Sequence, residues 1–406
     1  MNLAILSASY LRARPLQTLL SVCLLALGVA TIVAAMLAVA QLEARASRDL
    51  AGIDLVVGAK GSPMQLILAG VYQLDAPTGN IPLEAAQSLA KNPLVRKAMP
   101  LAMGDSFRGF RIIGCGPEYP QHYGAVLRAG RYFEKSMEAV LGAEVAERSG
   151  IAMGGRFTGV HGLGGEGEEH AQAYTVVGIL APTGSVIDRL VLTPVQSVWD
   201  VHKHEEAEPH HEEGARGEAP DTDPGDQEVT VLLLQYASPL AAATLPRAIN
   251  SKSELQAASP ALETARLFRI AGAGLEALHA FAIVLIGAAA LSVFIALYSA
   301  LEERRYDLAV MRALGASPGR LFGLLLVEGF TLAAIGTLAG VALGHVFASA
   351  LGVWLVAAGQ PEVSGLSFVP RELWLVAAAL VVGLAAALIP AYRAYRTDVS
   401  RVLAEG

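Results

Sequence analysis

The chain has 406 residues, of which 53% are hydrophobic and only 17% are charged. That balance is unusual for a soluble protein, and a net charge of −7 argues against a nucleic-acid partner. Two cysteines exclude a disulfide framework, because Cys23 lies in an apolar stretch and Cys115 in a polar region.

The first predicted element is a membrane-spanning helix over residues 16–40. This stretch contains no acidic or basic residue and is long enough to cross the ~30 Å hydrocarbon core. A cleaved signal peptide is the alternative, since Arg12 and Arg14 precede the stretch and Ala-Val-Ala at 38–40 resembles a cleavage site. Its apolar core exceeds the ~7–15 residues of a signal peptide, which favours a retained span. Residues 41–53 continue the helical pattern with polar positions and predict a stalk.

The region that follows predicts a mixed α+β domain. Pro82 opens a helix with Glu84 in its first turn. Short apolar runs separated by glycine-rich turns indicate strands. The predicted strands lie near residues 110–113, 139–141, 174–180 and 229–235, the further helices near 144–149 and 240–248, and a second stalk near 261–278.

A histidine- and glutamate-rich segment interrupts this domain at residues 202–228. Almost nothing in it is apolar, so we expect a disordered or weakly ordered loop. Imidazoles interleaved with carboxylates suit zinc, nickel or copper, although no spacing marks a closed site. A metal-collecting or metal-sensing loop, a solvated acidic loop and a partner-docking element therefore remain alternatives. The candidate ligands are His202, His204, His210 and His211, and His161 and His170 can join them if the fold allows.

Three more spans are predicted near the C-terminus, at residues 280–301, 321–346 and 373–392. Arginines cluster before the first span, between the second and third, and after the fourth. The positive-inside rule then places both termini in the cytoplasm and the domain outside it. The arginines are Arg12, Arg14, Arg304, Arg305, Arg312, Arg320, Arg393, Arg396 and Arg401.

Small residues punctuate the third span. Gly336, Gly340 and Gly344 repeat every fourth position and allow another helix to approach closely. That helix can belong to the same bundle or to a second copy of the chain. Glu328 is an acidic residue within the same span, and either snorkelling to the headgroups or a proton-handling role accounts for it.

Motifs for catalysis are absent from the sequence. No lysine follows a glycine, so the chain lacks a phosphate-binding P-loop. Gly162, Gly164 and Gly167 match a dinucleotide-binding spacing, but adjacent glutamates would repel a pyrophosphate and a hairpin loop is favoured. Neither G-x-S-x-G nor H-E-x-x-H occurs. We therefore expect a chain that is not an enzyme by itself.

The segment between the second and third spans predicts a short helix along the cytoplasmic face. Gly315 supplies its end, and Ser317 and Pro318 begin the next helix. From the residues alone, a coupling element and an ordinary basic interfacial turn are equally compatible with the pattern.

Three segments carry a resemblance to a known family. The order E-x-R-x-x-D-x-A-V-x-R-A-L-G-A at residues 302–316 resembles the loop shared by the MacB, LolC/LolE and FtsX permeases of ABC transporters. Residues 390–403 resemble the end of these proteins, and residues 138–157 a recurring stretch of their periplasmic domain. Residues 54–68 and 176–189 look like one branch of MacB-type permeases that lack a fused ATPase.

The resemblance implies a bacterial inner-membrane permease that works as a homodimer or paired permease. A separate MacB- or LolD-like ATPase subunit would bind ATP and Mg²⁺, and its closure would push on the cytoplasmic helix. Membrane lipids and a periplasmic or lipoprotein partner are further expected contacts. The residues implied to contact the ATPase are Arg304, Arg305, Asp307, Leu308, Met311, Arg312 and Gly315, with Leu308 and Met311 as an apolar plug.

Two functions remain open under this resemblance. One is export or extrusion of a periplasmic or membrane-embedded substrate, with a link to a metal as one option. The other is FtsX-like signalling, in which the domain activates a periplasmic partner without transport.

The expected fold is an α-helical membrane protein with four transmembrane helices (1+3) and a large α+β periplasmic domain between helices 1 and 2. The expected segments are a cytoplasmic N-terminus (1–15), first span (16–40), MacB-like periplasmic domain with stalks (41–279), second span (280–301), cytoplasmic coupling helix (302–320), third span (321–346), periplasmic loop (347–372), fourth span (373–392) and cytoplasmic tail (393–406).

Overall fold

The structure, a computed structural model, describes residues 9, 12–162, 169–207, 227–303, 305–357 and 363–396. Within these ranges, the side chains of residues 203–207, 271, 305, 307 and 308 lie outside the description. The helices are α1 (Pro15–Leu50), α2 (Pro63–Gly70), α3 (Leu83–Ala90), α4 (Glu118–His122), α5 (Ala143–Ser149), α6 (Val195–Ala207), α7 (Pro239–Lys252), α8 (Pro260–Glu303), α9 (Arg305–Ala313), α10 (Pro318–Ala357) and α11 (Arg371–Tyr395).

Along the sequence, the strands follow the first long helix and precede the other three. They are β1 (Leu55–Ala59), β2 (Ile81–Pro82), β3 (Val95–Phe107), β4 (Phe110–Cys115), β5 (Leu127–Gly130), β6 (Glu138–Leu141), β7 (Arg156–His161), β8 (Glu169–Leu180), β9 (Leu190–Thr193), β10 (Glu228–Val229), β11 (Val231–Tyr236) and β12 (Leu255–Ala258).

Four helices are long and apolar enough to cross a membrane: α1, α8, α10 and α11. The chain divides into two compact units, and these helices contribute to one of them, drawn from Met1–Leu42 and Ala271–Gly406. The other unit is Glu43–Ile270. Both α1 and α8 run past the length that a bilayer requires, since 36 and 44 residues exceed the ~20 of a simple span.

The unit Glu43–Ile270 is built on a mixed sheet. Its strands follow the order β12-β1-β11-β3-β4-β9-β6-β8-β5, and β7 pairs with both β3 and β8. The pairs β4/β9 and β6/β8 are parallel, whereas the other described pairs in this sheet are antiparallel. A separate two-stranded sheet joins β10 to β2.

Alternating side chains bury both faces of this sheet. In β11, Val231 and Leu233 pack in one core cluster, whereas Leu232 and Leu234 pack in another on the opposite face. This period of two follows from the pleat of a strand. Near-continuous apolar runs such as 231–234 are therefore expected where helices or loops cover both faces of a sheet.

The first residues of the histidine-rich segment are helical, whereas a loop was predicted from His202 onward. Helix α6 extends through Ala207, so His202 lies on a helix rather than in a loop. Trp199 Nε1 donates a hydrogen bond to the carbonyl oxygen of Glu228, which joins this helix to the start of β10. His210 and His211 lie outside the described residues.

A buried carboxyl group near the end of α1 makes stability depend on pH. Asp49 is 2% exposed, and desolvation raises its pKa from 3.8 to about 6, although the Val186 N–H donates to Asp49 Oδ1 at 2.7 Å. Because its pKa is higher in the folded state, Asp49 binds its proton more tightly there than in the unfolded chain. This proton binding adds to the free energy of unfolding below pH 4, and the contribution is lost as the pH rises through 6.

We therefore expect Asp49→Asn to stabilise the chain above pH 6, by an amount on the order of 3 kcal/mol at full effect. The amide oxygen can still accept the Val186 hydrogen bond without carrying a charge. Thermal melts of the full chain in detergent between pH 4 and 8 would measure the difference. A stability gap between variant and wild type that does not grow with pH would contradict this expectation.

Candidate functional site

Helix α9 is a short element between two candidate membrane helices. Helix α8 ends at Glu303 and α10 begins at Pro318. After α9, Gly315 adopts a left-handed backbone with φ +97°, and the Ala316 N–H donates to the Met311 carbonyl oxygen at 2.9 Å. Glycine adopts this conformation without strain, so the turn can reverse the chain directly into α10.

The apolar residues of this segment divide into two groups. Met311 is half-buried and packs against a cluster of the same chain that includes Leu301 and Leu321. Leu314 and Tyr306, by contrast, are 83% and 55% exposed. Met311 thus contacts its own bundle, and Leu314 is the more exposed of the two side chains. The expected apolar plug of Leu308 and Met311 stays a prediction.

Most of the other residues implied to contact an ATPase escape structural description. Arg304 lies outside the described residues, as do the side chains of Arg305, Asp307 and Leu308. Arg312 is half-buried and lies in the last turn of α9, where a cation interacts favourably with the helix dipole.

Basic residues also mark the ends of the long helices near α9. Arg14, one residue before α1, forms an ion pair with Glu303 at the end of α8. In α11, Arg393 donates to Tyr298 Oη at 2.5 Å and lies 5.0 Å from the centre of that ring. These contacts tie the first, second and fourth long helices together at the end of the bundle that carries α9.

The three glycines of α10 face α1 of the same chain. A Cβ added to Gly340 would lie 2.6 Å from Val29 Cβ and 2.8 Å from the Ala26 carbonyl oxygen. Added Cβ atoms on Gly336 and Gly344 would lie 2.9 Å from Leu25 Cδ2 and 2.6 Å from Val33 Cβ. Close backbone approach of this kind is what small residues at every fourth position allow.

A second stripe of small residues joins α10 to α11. A Cβ added to Gly329 would lie 2.5 Å from Ala387 Cβ, and one added to Gly383 would lie 2.3 Å from Ala333 Cβ. Glu328 is only 4% exposed, so its carboxyl group is enclosed by the bundle rather than turned to the surface. A cavity of about 10 Å³ lies beside it and is also lined by Arg14.

The unit Glu43–Ile270 brings three histidines and one aspartate together. Asp105 Oδ1 lies 3.0 Å from His170 Nε2, 3.7 Å from His161 Nδ1 and 4.0 Å from His202 Nε2. The three imidazole centres lie 5.7 to 6.2 Å apart. We call these four residues the His–Asp cluster.

Local backbone structure explains how distant residues meet in this cluster. The pairing of β3 with β4 shifts between Met103 and Ser106, and such a bulge re-aims the side chain of Asp105. Asp105 is also the register partner of His161 across β3 and β7. His170 comes from β8, which pairs with β7, and His202 comes from α6.

The four residues differ in exposure. The side chains of Asp105 and His170 are 1% and 2% exposed, whereas those of His161 and His202 are 61% and 37% exposed. Asp105 and His170 thus form the buried part of the cluster, and solvent reaches His161 and His202. Tyr174 lies near it, and burial together with the charge of Asp105 raises the pKa of its hydroxyl.

Of the four ligands predicted in the acidic segment, the structure places His202 in this cluster, together with His161 and His170, which the sequence analysis named as residues that can join the site. His204 belongs to α6 by its backbone, and His210 and His211 lie outside the described residues. The sequence analysis did not predict Asp105 as a ligand, because Gly-Asp-Ser between apolar residues is typical of a turn. Within the described part of the chain, Asp105, His161 and His202 are the group whose donor atoms all lie within 4.8 Å of one another.

Two family models match the chain. One describes a MacB-like periplasmic core domain and matches residues 18–247, and the other describes an FtsX-like permease C-terminal region and matches residues 279–399. The first alone covers more than half of the sequence. The chain is an ABC-transporter permease of the MacB/LolCE/FtsX type.

Two curated relatives and one solved structure are similar to this permease. The lipoprotein-releasing system transmembrane protein LolC of Neisseria meningitidis serogroup B is 24% identical over 347 residues, covering 78% of each chain. The corresponding protein LolE of Haemophilus influenzae is 31% identical over 137 residues, which cover 30% of the permease and 32% of LolE. The solved periplasmic region of MacB from Actinobacillus actinomycetemcomitans is 14% identical, with a TM-score of 0.33, and the match covers 54% of the permease and 95% of that structure.

This family assignment confirms the MacB-like and FtsX-like regions expected from the sequence. Permeases of this type are multi-pass inner-membrane proteins that work with ABC ATPase subunits. They are typically non-catalytic themselves, in line with the absence of phosphate-binding motifs from this sequence.

Proposed function

We propose that this permease converts ATP hydrolysis by a separate ATPase into movement of its domain Glu43–Ile270, and that this movement extrudes a membrane-embedded or lipid-anchored substrate. In this proposal α9 receives the movement of the ATPase on the cytoplasmic side. Both termini are cytoplasmic, one span precedes the domain and three follow it. The substrate class is suggested by the lipoprotein-releasing function that the names of LolC and LolE state.

The observation that carries the proposal is the length of α1 and α8. At 1.5 Å per residue, their 36 and 44 residues extend over about 54 and 66 Å, well beyond a ~30 Å hydrocarbon core. Each helix therefore has an apolar part for the membrane and a polar part at the domain. A continuous helix transmits displacement along its axis better than a flexible linker, which supports mechanical coupling.

Close packing inside the bundle supports the same proposal. The glycine faces of α10 leave no gap toward α1 or α11, and the cavity beside Glu328 has room for about one water molecule. Such packing favours helices that move together over a route for a substrate between these particular helices. Arginines on the cytoplasmic loops support the orientation through the positive-inside rule.

Release of a lipid-anchored probe from proteoliposomes would test this function. The permease would be reconstituted with the ATPase that co-purifies with it in detergent, and a fluorescent diacylated peptide would be placed in the bilayer. We expect ATP-dependent transfer of the peptide to an acceptor outside the vesicle, and none with a non-hydrolysable ATP analogue.

The FtsX-like alternative gives a different result in the same preparation. A signalling permease would leave the probe in the bilayer, while ATP hydrolysis would change the activity of a periplasmic protein that co-purifies with it. Hydrolysis without probe release would therefore overturn the extrusion proposal. It would leave the membership of the family unaffected.

A further inference from the structure

We propose that the His–Asp cluster is a zinc site in the extracytoplasmic domain. Three imidazole nitrogens and one carboxylate oxygen form a donor set that suits a four-coordinate Zn²⁺ ion. The site lies within the unit Glu43–Ile270 and goes beyond the permease function, since it can bind metal whether or not the chain extrudes a substrate.

The donor atoms of Asp105, His161 and His202 all lie within 4.8 Å of one another, and His170 Nε2, 3.0 Å from Asp105 Oδ1, would complete a tetrahedral set by rotating toward them. Ligands at the usual 2.0–2.1 Å from zinc lie roughly 3.4 Å from one another. Asp105 Oδ1 lies 3.0, 3.7 and 4.0 Å from the three histidine nitrogens, which brackets that value. The imidazole rings are inclined by 81° to 86° to one another, so they approach a common centre from different directions.

The buried carboxylate is the second observation that points to a cation. Asp105 is 2% exposed, and among the described residues neither of its oxygens accepts a hydrogen bond of ordinary geometry. The described ion-pair partners of this carboxylate are the three imidazoles, which compensate its charge only when they are protonated. A buried carboxylate that is not compensated is costly, because the charge loses its hydration. A divalent cation at the nearby nitrogens would compensate that charge.

Backbone features beside the ligands leave space for the imidazoles. A Cβ on Gly104 would lie 3.0 Å from His202 Nε2, and a Cβ on Gly159 would lie 3.4 Å from His170 Cδ2 and 3.6 Å from Tyr174 Cε2. A Cβ at Gly104 would press on His202, whereas a Cβ at Gly159 would be tight only against Ile112 Cδ1, at 3.0 Å, and in ordinary contact with His170. Gly104 thus leaves room for the His202 ring beside Asp105.

Zinc binding would join α6 to three strands of the sheet. His202 contributes a ligand from α6, whereas Asp105, His161 and His170 contribute ligands from β3, β7 and β8. The partly exposed His161 and His202 leave the site accessible from solvent. We therefore infer that zinc stabilises this part of the domain and that chelation loosens α6.

Calorimetric titration of the metal-free full chain in detergent would test the site. We expect one Zn²⁺ per chain in the wild type, and an affinity at least about 100-fold lower in Asp105→Asn and in His202→Ala, because each variant loses a direct ligand. Asn retains the shape of Asp105, and His202 is partly exposed, so one of the two variants should fold even if the other does not. Thermal melts with and without zinc would confirm folding, and the zinc-dependent rise in melting temperature should disappear in both.

Two controls separate the cluster from other histidines. The triple variant His204→Ala, His210→Ala, His211→Ala and the single variant His279→Ala should both keep wild-type affinity. Co²⁺ bound in place of zinc should show the intense visible absorption of a tetrahedral site in the wild type, and that absorption should be lost in His202→Ala. Ca²⁺ and Mg²⁺ should not compete, since they prefer oxygen ligands.

Three results would overturn the proposal. One is unchanged zinc affinity in both Asp105→Asn and His202→Ala. Another is loss of binding in the triple variant alone, which would place the metal on the acidic segment. The third is the absence of zinc binding to a folded wild-type chain. None of these measurements uses the ATPase or a transported substrate, so their failure is distinguishable from failure of the permease proposal.

Discussion

Replacing Arg312 by glutamate is expected to abolish the stimulation of ATP hydrolysis that the permease gives its ATPase. Arg312 lies in the last turn of α9, within residues 279–399 that match the FtsX-like permease C-terminal region. A reversed charge at an interface puts like charges together and removes the pairing that aligns the two surfaces. The rate per complex should therefore fall to that of the ATPase alone.

Membrane insertion and folding should survive this change. Arg312 is only half-buried, and moving from a favourable to an unfavourable charge at a helix C-terminus costs about 1 kcal/mol. Hydrolysis by the co-purified complex in nanodiscs, together with size-exclusion profiles of the permease, would measure both properties. A variant that inserts normally and still stimulates hydrolysis would contradict the role of α9 in coupling.

Arg396→Glu provides the matched control for this experiment. Arg396 is exposed, follows α11 directly, and carries the same charge toward the same proposed side of the membrane. It lies outside the segment 302–320. We expect Arg396→Glu to retain stimulation, and an equal loss in both variants would indicate a general electrostatic requirement instead of a contact at α9.

The presence of four long apolar helices could be predicted because it depends on local composition. Apolar stretches of about 20 residues must be helical in a bilayer, where no water satisfies the backbone. Gly315 likewise predicted the end of α9, where it adopts a left-handed backbone, and Pro318 predicted the start of α10. Each of these features depends on a few neighbouring residues, which the sequence displays directly.

The His–Asp cluster depends on features that the sequence does not display. Asp105 reaches the histidines through a bulge in β3 and through the register that pairs it with His161. Register is set by long-range packing of both strands, and a shift of one residue would turn Asp105 to the other face. Residues 202–228 are polar and acidic throughout, so their composition predicted a loop from His202 onward. Composition alone does not show where a helix ends, and α6 continues through Ala207.

Met311 illustrates a related limit. Its spacing with Leu308 and Leu314 predicted an apolar face, but a periodic pattern does not say what covers that face. In the structure Met311 packs on its own bundle and Leu314 is exposed. Which of these side chains is exposed depends on how α9 packs against the long helices, and the spacing does not show that packing.

Replacing Gly340 by leucine is expected to prevent the bundle from packing. Even the first carbon of the new side chain would lie 2.6 Å from Val29 Cβ and 2.8 Å from the Ala26 carbonyl oxygen. The second contact is with backbone, so α1 and α10 would have to separate. Overpacking costs typically 1–3 kcal/mol when side chains can adjust, and we expect more here because they cannot.

Gly287→Leu is the matched control for Gly340→Leu. Gly287 also lies within a candidate span, but an added Cβ there would meet nothing within 4 Å. Thermal melts in detergent and protease resistance should show a destabilised bundle for Gly340→Leu and a wild-type bundle for Gly287→Leu. Equal behaviour of the two variants would mean that α10 does not approach α1 through its glycines.

A compensating pair distinguishes contact with α1 from contact with another surface. Gly336→Ala would place a Cβ 2.9 Å from Leu25 Cδ2 and 3.2 Å from Leu25 Cγ, which Leu25→Ala removes, and 3.1 Å from Leu25 Cβ, which it retains. Leu25 is 4% exposed, so Leu25→Ala alone should also destabilise, by leaving a cavity. Because the new methyl group enters the space that the old side chain vacates, the double variant should be more stable than the sum of the two single effects predicts. Strict additivity would indicate that Gly336 and Leu25 do not touch, and that the glycine face serves another helix, such as one from a second copy.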